Sequence, residues 1–299
     1  MNPLVSVLGP STYSEEAAIW LLKDTGWTLH SCRTIADVFE STLSGKTKYS
    51  VIPLENTIEG SVSMHIDWLV HDVELPIQIE WAYPILMHLL TFSSGDLDQH
   101  QFPDQLRKVR KVYSHPVAFA QCRRFLAEWL PQAEMEPVGS TAEGARIVSE
   151  LKDDSLVAIG PASAAARYGL ELQMSSIQDQ INNFTRFVLV GHEPLPQLKL
   201  QGCKLDGHKT TLLLMPDADF PGGLHQLLSA FAWRRLNLTK IESRPTKREL
   251  GTYYFYVDVA APIDSILLQG AIQEIEAIGC RVRLMGSYPS YQYELTTNN

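Results

Sequence analysis

The sequence predicts an α/β protein in two parts: a two-lobed region with a cleft between its lobes, then a smaller ferredoxin-like βαββαβ unit. Three observations predict it. From residue 4 to about 190, short β-rich runs alternate with amphipathic helical segments, as layered α/β folds require. A long β-prone run at residues 77–92 can carry the chain out of one lobe, and a strand at 185–190 is placed to return to it. Beyond residue 208 the order becomes strand, helix, strand, strand, helix, strand, the split βαβ arrangement.

Each element has a local reason. Residues 5–8 form an apolar strand, and the helix starting near Ser14 carries Glu15 and Glu16 in its first turn, with Gly26 as its stop. A second strand begins at Leu29. Thr34 caps a helix ending near Gly45, and residues 49–53 read as a third strand. Helices are predicted at 61–72 and 116–130, the latter with Pro116 in its first turn, where a missing N–H costs nothing. A strand at 133–138, a helix at 141–151 and a strand at 156–159 follow. Residues 194–208 hold two prolines and two glycines without periodicity and read as a linker between a first domain, 1–193, and a second, 209–290. The second domain reads as strands at 209–215, 238–243, 252–259 and 281–285 with helices at 222–236 and 264–278. Gly279 closes the last helix, and 291–299 is a tail.

Composition excludes several function classes. The 299-residue chain is 45% apolar and 20% charged, ordinary for a globular protein. Its net charge of -9, with no long Lys/Arg run, argues against nucleic acid or an anionic membrane as partner. Recognition of an anion would therefore be local, through one or two arginines and helix N-termini. Cys32, Cys122, Cys203 and Cys280 form no CxxC pair, and the nine histidines show no HxxxH spacing, so no metal site or redox dithiol is expected. A reducing cytosol suits such cysteines. The N-terminus has no signal-peptide pattern, and the longest apolar segment, 84–92, is too short to span a bilayer, so a cytoplasmic location is expected.

Several loops carry chemistry. Asn183-Phe184-Thr185-Arg186-Phe187 puts an amide, a hydroxyl and a guanidinium at a strand entrance, a donor set suited to an oxygen-rich anion; Arg186 has a structural ion pair as its alternative. Gly9-Pro10-Ser11-Thr12-Tyr13-Ser14 follows the first strand, either at a ligand edge or as a plain helix cap. The loop with Glu55, Asn56 and Glu59 offers two carboxylates and an amide, each carboxylate being an acid or a partner of the next helix dipole. Ser114 and His115 open the helix that carries Gln121, and Ser140 and Thr141 open another; both starts can hold a carboxylate. In the second domain Gly222-Gly223-Leu224 permits close backbone approach, to a ligand or to a neighbouring strand. The strand from Asn237 and Leu238 through Glu242, Ser243 and Arg244 is ended by Pro245, as an edge strand able to pair across a dimer would be.

Taken together, the loop from Pro53 to Val62, Ser114-His115-Pro116 with Gln121, and Asn183-Phe184-Thr185-Arg186-Phe187 resemble, in their order, the motifs of the prephenate dehydratases of phenylalanine biosynthesis. Pro221-Gly222-Gly223-Leu224 and Glu242-Ser243-Arg244-Pro245 resemble the two signatures of that family's C-terminal ACT domain. The resemblance implies a periplasmic-binding-protein-like catalytic domain and loss of CO₂ and water from prephenate to give phenylpyruvate without a cofactor. It assigns catalysis to Thr185, Asn56, Gln121 and Glu55, and substrate binding to Arg186, Ser14, Ser114, His115, Ser140, Thr141, Asn183 and Phe187. Thr185 would donate to the departing hydroxyl, relayed from Glu55, and Arg186 would take a substrate carboxylate. L-Phenylalanine would bind as effector through Gly222, Gly223, Leu224, Asn237, Leu238, Glu242, Ser243, Arg244 and Pro245 in a homodimer or homotetramer. Arogenate dehydratase and a non-catalytic amino-acid sensor are the alternatives. The first loop departs from the family's Gly-Pro-x-Gly-Thr pattern, being one residue short and lacking the second glycine, so the resemblance does not set the backbone path there. His225 follows Leu224 and would enter or flank the effector pocket.

Overall fold

The computed structural model describes residues 2–92, 106–196, 200 and 202–293. Lobe 1 is built on β1 (Leu4–Leu8), β2 (Thr28–Cys32), β3 (Tyr49–Asn56), β5 (Ile77–Pro84) and β11 (Phe184–Val190), with β4 (Gly60–Ser61) hairpinned onto β3. The helices α1 (Tyr13–Leu22) and α2 (Ile35–Leu43) cover it, α2 starting in a capping box in which Thr34 and Asp37 exchange side-chain-to-backbone hydrogen bonds. The next helix, α3 (Ser63–Asp67), continues into a π-turn at Trp68–Asp72.

Lobe 2 is a five-stranded sheet in the order β10-β6-β9-β7-β8, with β6 (His88–Thr91), β7 (Lys111–Ser114), β8 (Glu134–Pro137), β9 (Leu156–Gly160) and β10 (Glu171–Met174). Its helices are α4 (Pro116–Gln121), α5 (Arg123–Trp129), α6 (Thr141–Leu151) and α7 (Ala162–Tyr168). The chain crosses between lobes after β5 and again before β11, where the sequence placed the crossings. The helix expected at 116–130 is broken at Cys122, whose ψ of 22° leaves the helical range. The strands β7 and β10 and the helix α7 escaped the sequence reading, being too short to complete a periodic pattern.

The second domain has the expected strand order: β13 (Leu238–Pro245), β14 (Tyr253–Val259), β12 (Cys203–Pro216) and β15 (Cys280–Tyr293). Two helices, α8 (Gly223–Ala232) and α9 (Ile266–Ala277), bury Phe231, Leu268 and Ile275 against Leu212, Leu214 and Val257 on one face. The other face lies on lobe 1, where Leu213, Tyr256, Met285 and Tyr288 share a core with Ile66, Leu69, Val70 and Val188.

The domain boundary is where the structure departs most from expectation. Residues 203–208, read as linker, begin β12, and 291–293, read as tail, end β15; within those spans, residues 197–199, 201 and 294–299 lie outside the described residues. The long β15 pairs in parallel with β5 through Ser290↔Glu80, Tyr291↔Trp81 and Gln292↔Ala82, so lobe 1 and the ferredoxin-like unit form one ten-stranded sheet. Gly286 lets the strand come this close, because a Cβ there would collide with the Ile77 backbone.

Candidate active site

The interlobe cleft holds a cavity of about 320 Å³, lined among others by Ser14, Asn56, Glu59, His115, Gln121, Ser140, Thr141, Thr185 and Phe187. Strand pairing puts two of these side by side. Thr185 is registered against Asn56 across β11 and β3, and Arg186 against Glu55, so the first pair faces the cleft and the second the opposite side. Alternation along β11 puts Phe187, two residues on from Thr185, on the same cavity wall, stacked at 5.7 Å on Trp81, while a register shift absorbed in β3 between Pro53 and Glu55 brings Asn56 to that face.

A directional hydrogen-bond chain joins the cleft amides. Asn56 Nδ2 donates to Thr185 Oγ1 at 3.0 Å, to Asn183 Oδ1 at 2.8 Å and to the Phe184 carbonyl at 3.2 Å. Asn183 Nδ2 donates to Gln121 Oε1 at 2.9 Å, and Gln121 Nε2 to Glu59 Oε1 at 3.2 Å. The Asn56 side-chain Oδ1 accepts the backbone N–H groups of Ile58 (2.9 Å) and Glu59 (3.0 Å), which fixes its amide orientation. Because Thr185 Oγ1 accepts from Asn56, its own hydrogen remains available to a ligand in the cavity.

Helix starts from both lobes converge on the same space. Thr12 caps α1, accepting from the Glu15 N–H at 3.2 Å; His115 Nδ1 caps α4, accepting from Val117 at 3.3 Å; Ser140 caps α6, accepting from Glu143 at 3.1 Å. Ser11 takes the place of the missing glycine before Thr12, with φ of 60° in the left-handed region and its N–H on Glu15 Oε2 at 2.6 Å. Tyr13, Ile85, Met87 and Val62 make one wall apolar. Burial pushes the thiol of Cys122, behind that wall, up to about 12, so it is no nucleophile at neutral pH.

Four expected site residues lie elsewhere than the cavity lining. Ser114 is fully buried and donates to the Ile159 carbonyl at 2.7 Å, anchoring β7 to β9. Asn183 acts one step back, as a link in the amide chain. Arg186 points away from the cleft, with Nε on Glu80 at 2.6 Å, Nη1 on Asp258 at 2.5 Å and Nη2 on Tyr288 OH at 3.0 Å. The expected carboxylate anchor is therefore a buried clamp between β11 and the ferredoxin-like unit. Glu55 leaves with it, pairing with Lys240 at 3.2 Å and Arg186 at 3.6 Å. Glu59 is instead the carboxylate among the described cavity-lining residues, and strand alternation carried the signal: if Asn56 faces the cleft, Glu55 cannot.

In the ferredoxin-like unit a cavity of about 350 Å³ is lined by Phe220, Gly222, Gly223, Leu224, His225 and Ile278, among others, with Gly222 at φ 88° opening α8. Within one chain the second expected motif is not brought to it. Glu242 and Arg244 turn to lobe 1, Arg244 Nε meeting Asp67 at 2.8 Å, while Ser243 and Pro245 are exposed on the opposite side of β13. Leu238 packs against the α8–α9 core, and the Asn237 carbonyl accepts from Ala260 at 2.9 Å. The edge position of β13 is as expected.

Comparison with known proteins decides the family. The prephenate dehydratase family model matches residues 5–195, and the ACT domain model matches 212–277. The chain belongs to the prephenate dehydratase family. A prephenate dehydratase of Bacillus subtilis is 39% identical over 289 residues, covering 96% of this chain and 99% of the relative. A solved prephenate dehydratase of Arthrobacter aurescens in complex with L-Phe is 30% identical, with a TM-score of 0.80 over 95% of this chain and 89% of the other. A protein described as GqqA, a novel type of quorum quenching acylase, shares the fold at 26% identity and a TM-score of 0.80 over 96% of this chain and 98% of the other. Prephenate dehydratases are decarboxylating carbon–oxygen lyases, and this chain is one of them, with an ACT domain at its C-terminal end.

Proposed function

We propose that the interlobe cleft converts prephenate to phenylpyruvate, with Thr185 as the hydrogen-bond donor to the departing ring hydroxyl. One observation carries the assignment: Asn56 donates to Thr185 Oγ1 at 3.0 Å, which leaves the threonine hydrogen to point at the substrate. Loss of the ring carboxylate as CO₂ supplies the electron pair that expels the ring hydroxyl, the departing oxygen takes one proton from solvent to become water, and aromatisation drives both. A threonine hydroxyl is too weak an acid to be the net proton source, so it acts as a preorganised donor on the charge growing at the leaving oxygen.

The cleft separates the substrate's two ends. The start of α6, with Ser140 and Thr141, offers free N–H groups and a positive dipole end to the side-chain carboxylate. The apolar wall of Val62, Ile85 and Met87 receives the ring. The withdrawal of Arg186 suits this chemistry, because a guanidinium on the departing carboxylate would stabilise the ground state more than the transition state. Glu59 acts through Gln121 to hold the amide chain in one direction.

L-Phenylalanine, the ligand in the Arthrobacter relative's complex, would bind here at the ACT domain of a homo-oligomer and restrain the cleft through the shared sheet. A cytoplasmic location accords with a biosynthetic role, and among the described residues no helix is long and apolar enough to cross a membrane. Incubating purified protein with prephenate and following phenylpyruvate, with and without L-phenylalanine, is the direct test. Absence of phenylpyruvate would remove the assignment, and a larger kcat/KM on arogenate would reassign the substrate.

A further inference from the structure

A third cavity, of about 370 Å³, lies where the β13–β14 turn and β15 meet the π-turn of lobe 1, and shares no lining residue with the two cavities above. Its lining includes His71, Lys247, Arg248, Arg281 and Arg283 and no Asp or Glu. That is unexpected in a chain with 34 acidic and 25 basic residues. The neighbouring carboxylates do little to balance the cations. Lys247 is 4.0 Å from Asp72 and Arg281 3.5 Å from Asp217, all four side chains at least half exposed, where ion pairs are weak. Arg248 has no ion-pair partner among the described residues. Arg283 spends Nη2 on the Leu69 and Val70 carbonyls, both at 2.8 Å, while its buried Nε and the buried Nε2 of His71 have no hydrogen-bond partner. Burial pushes the Arg283 guanidinium below its usual range, with Glu74 only partly opposing this, as expected for a cation short of a counter-charge.

Cations held together without counterions repel one another, and an anion among them relieves that cost. Three separate segments supply the charges, and the Tyr254 ring, 6.0 Å from that of His71, gives the site a rigid side. We propose that this cavity binds a small multivalent oxyanion, phosphoryl or polycarboxylate in kind, at the seam between lobe 1 and the ACT domain. Guanidinium forks and an ammonium suit such a ligand better than a monovalent ion.

Calorimetric titration of the full-length protein with pyrophosphate, and separately with citrate, at 0.15 M KCl tests this. Saturable binding of at least one probe at a single site with Kd below about 1 mM is expected. The Arg248→Ser/Arg281→Ser double variant, which alters two exposed side chains, should weaken it at least tenfold, whereas Lys48→Ser, a remote exposed cation, should leave it unchanged. The better probe then distinguishes a phosphoryl from a carboxylate ligand. Absence of saturation by either probe, or equal binding by the double variant, would overturn the proposal. Circular dichroism of the double variant checks that it keeps its fold.

Discussion

Replacing Arg186 with Met separates the two roles this side chain can be given. The sequence made it a substrate anchor, for which the loss would appear as a rise in KM. The structure makes it a clamp. Asp258 is fully buried and, once Arg186 is gone, keeps among the described residues only the Thr211 hydroxyl at 2.6 Å for its charge, whereas Glu80 retains Lys209 at 2.5 Å and Ser290 at 2.6 Å. Breaking one side of a buried pair costs about 3–5 kcal/mol, because the remaining charge stays buried and unpaired. At roughly 2–4 °C per kcal/mol for a chain of this class, the melting temperature should fall by about 6–20 °C. Differential scanning calorimetry reads the shift, and Arg186→Met/Asp258→Asn should recover part of it, since removing both charges removes the orphan. A variant that melts within 2 °C of the parent but has KM raised a hundredfold would refute the clamp and restore the guanidinium to the cleft.

Other expectations follow from the same geometry. Thr185→Val should lower kcat about 10²–10³-fold, as stopped-point assay of phenylpyruvate would show. Its stability cost should be only about 1 kcal/mol, since Asn56 Nδ2 keeps Asn183 and Phe184 as acceptors; activity within threefold of the parent would remove Thr185 from the mechanism. Half-buried Glu16 in α1, whose carboxylate accepts the Ser163 N–H of α7, is pushed up by burial to about 7. Its folded pKa exceeds its unfolded one, so the native state holds the proton longer, and stability declines as pH rises from about 4.5 to about 7 and is level above. Glu16→Gln should therefore stabilise at pH 8, by at most about 3 kcal/mol, and scarcely at pH 4.5; urea unfolding giving equal gains at both pH values would contradict this. Ser11→Gly should relieve the left-handed strain and gain about 0.5–1 kcal/mol after the added chain entropy of glycine, while a loss in thermal denaturation would show that Ser11 is not strained.

Local pattern explains what the sequence could show. Apolar period and caps located the helix at Thr141–Leu151 to the residue and the Thr34 cap of α2, and the β-prone runs at 77–92 and 185–190 gave both lobe crossings. The same alternation that marks a strand sets neighbours on opposite faces, so the separation of Thr185 from Arg186 was within reach of the sequence, whereas the register shift that puts Asn56 rather than Glu55 beside Thr185 was not. The motif order obscured this by grouping neighbours that point in opposite directions.

Tertiary pairing alone decided the rest. No periodicity of residues 203–208 or 291–293 could announce that they are strands, because their hydrogen-bond partners are each other and β5, some 200 residues away in the chain. Nor could it show which cations Asp258 and Glu55 would meet, or that Lys247, Arg248, Arg281 and Arg283 would collect around one cavity. The sequence by itself determined most of the elements and the order of the motifs, since these depend on nearest neighbours along the chain, and the motif order carried the family resemblance that implied the chemistry. Which face of each strand became site and which became seam was decided by the sheet that joins the two domains, because burial and ion pairing act between residues the sequence leaves far apart.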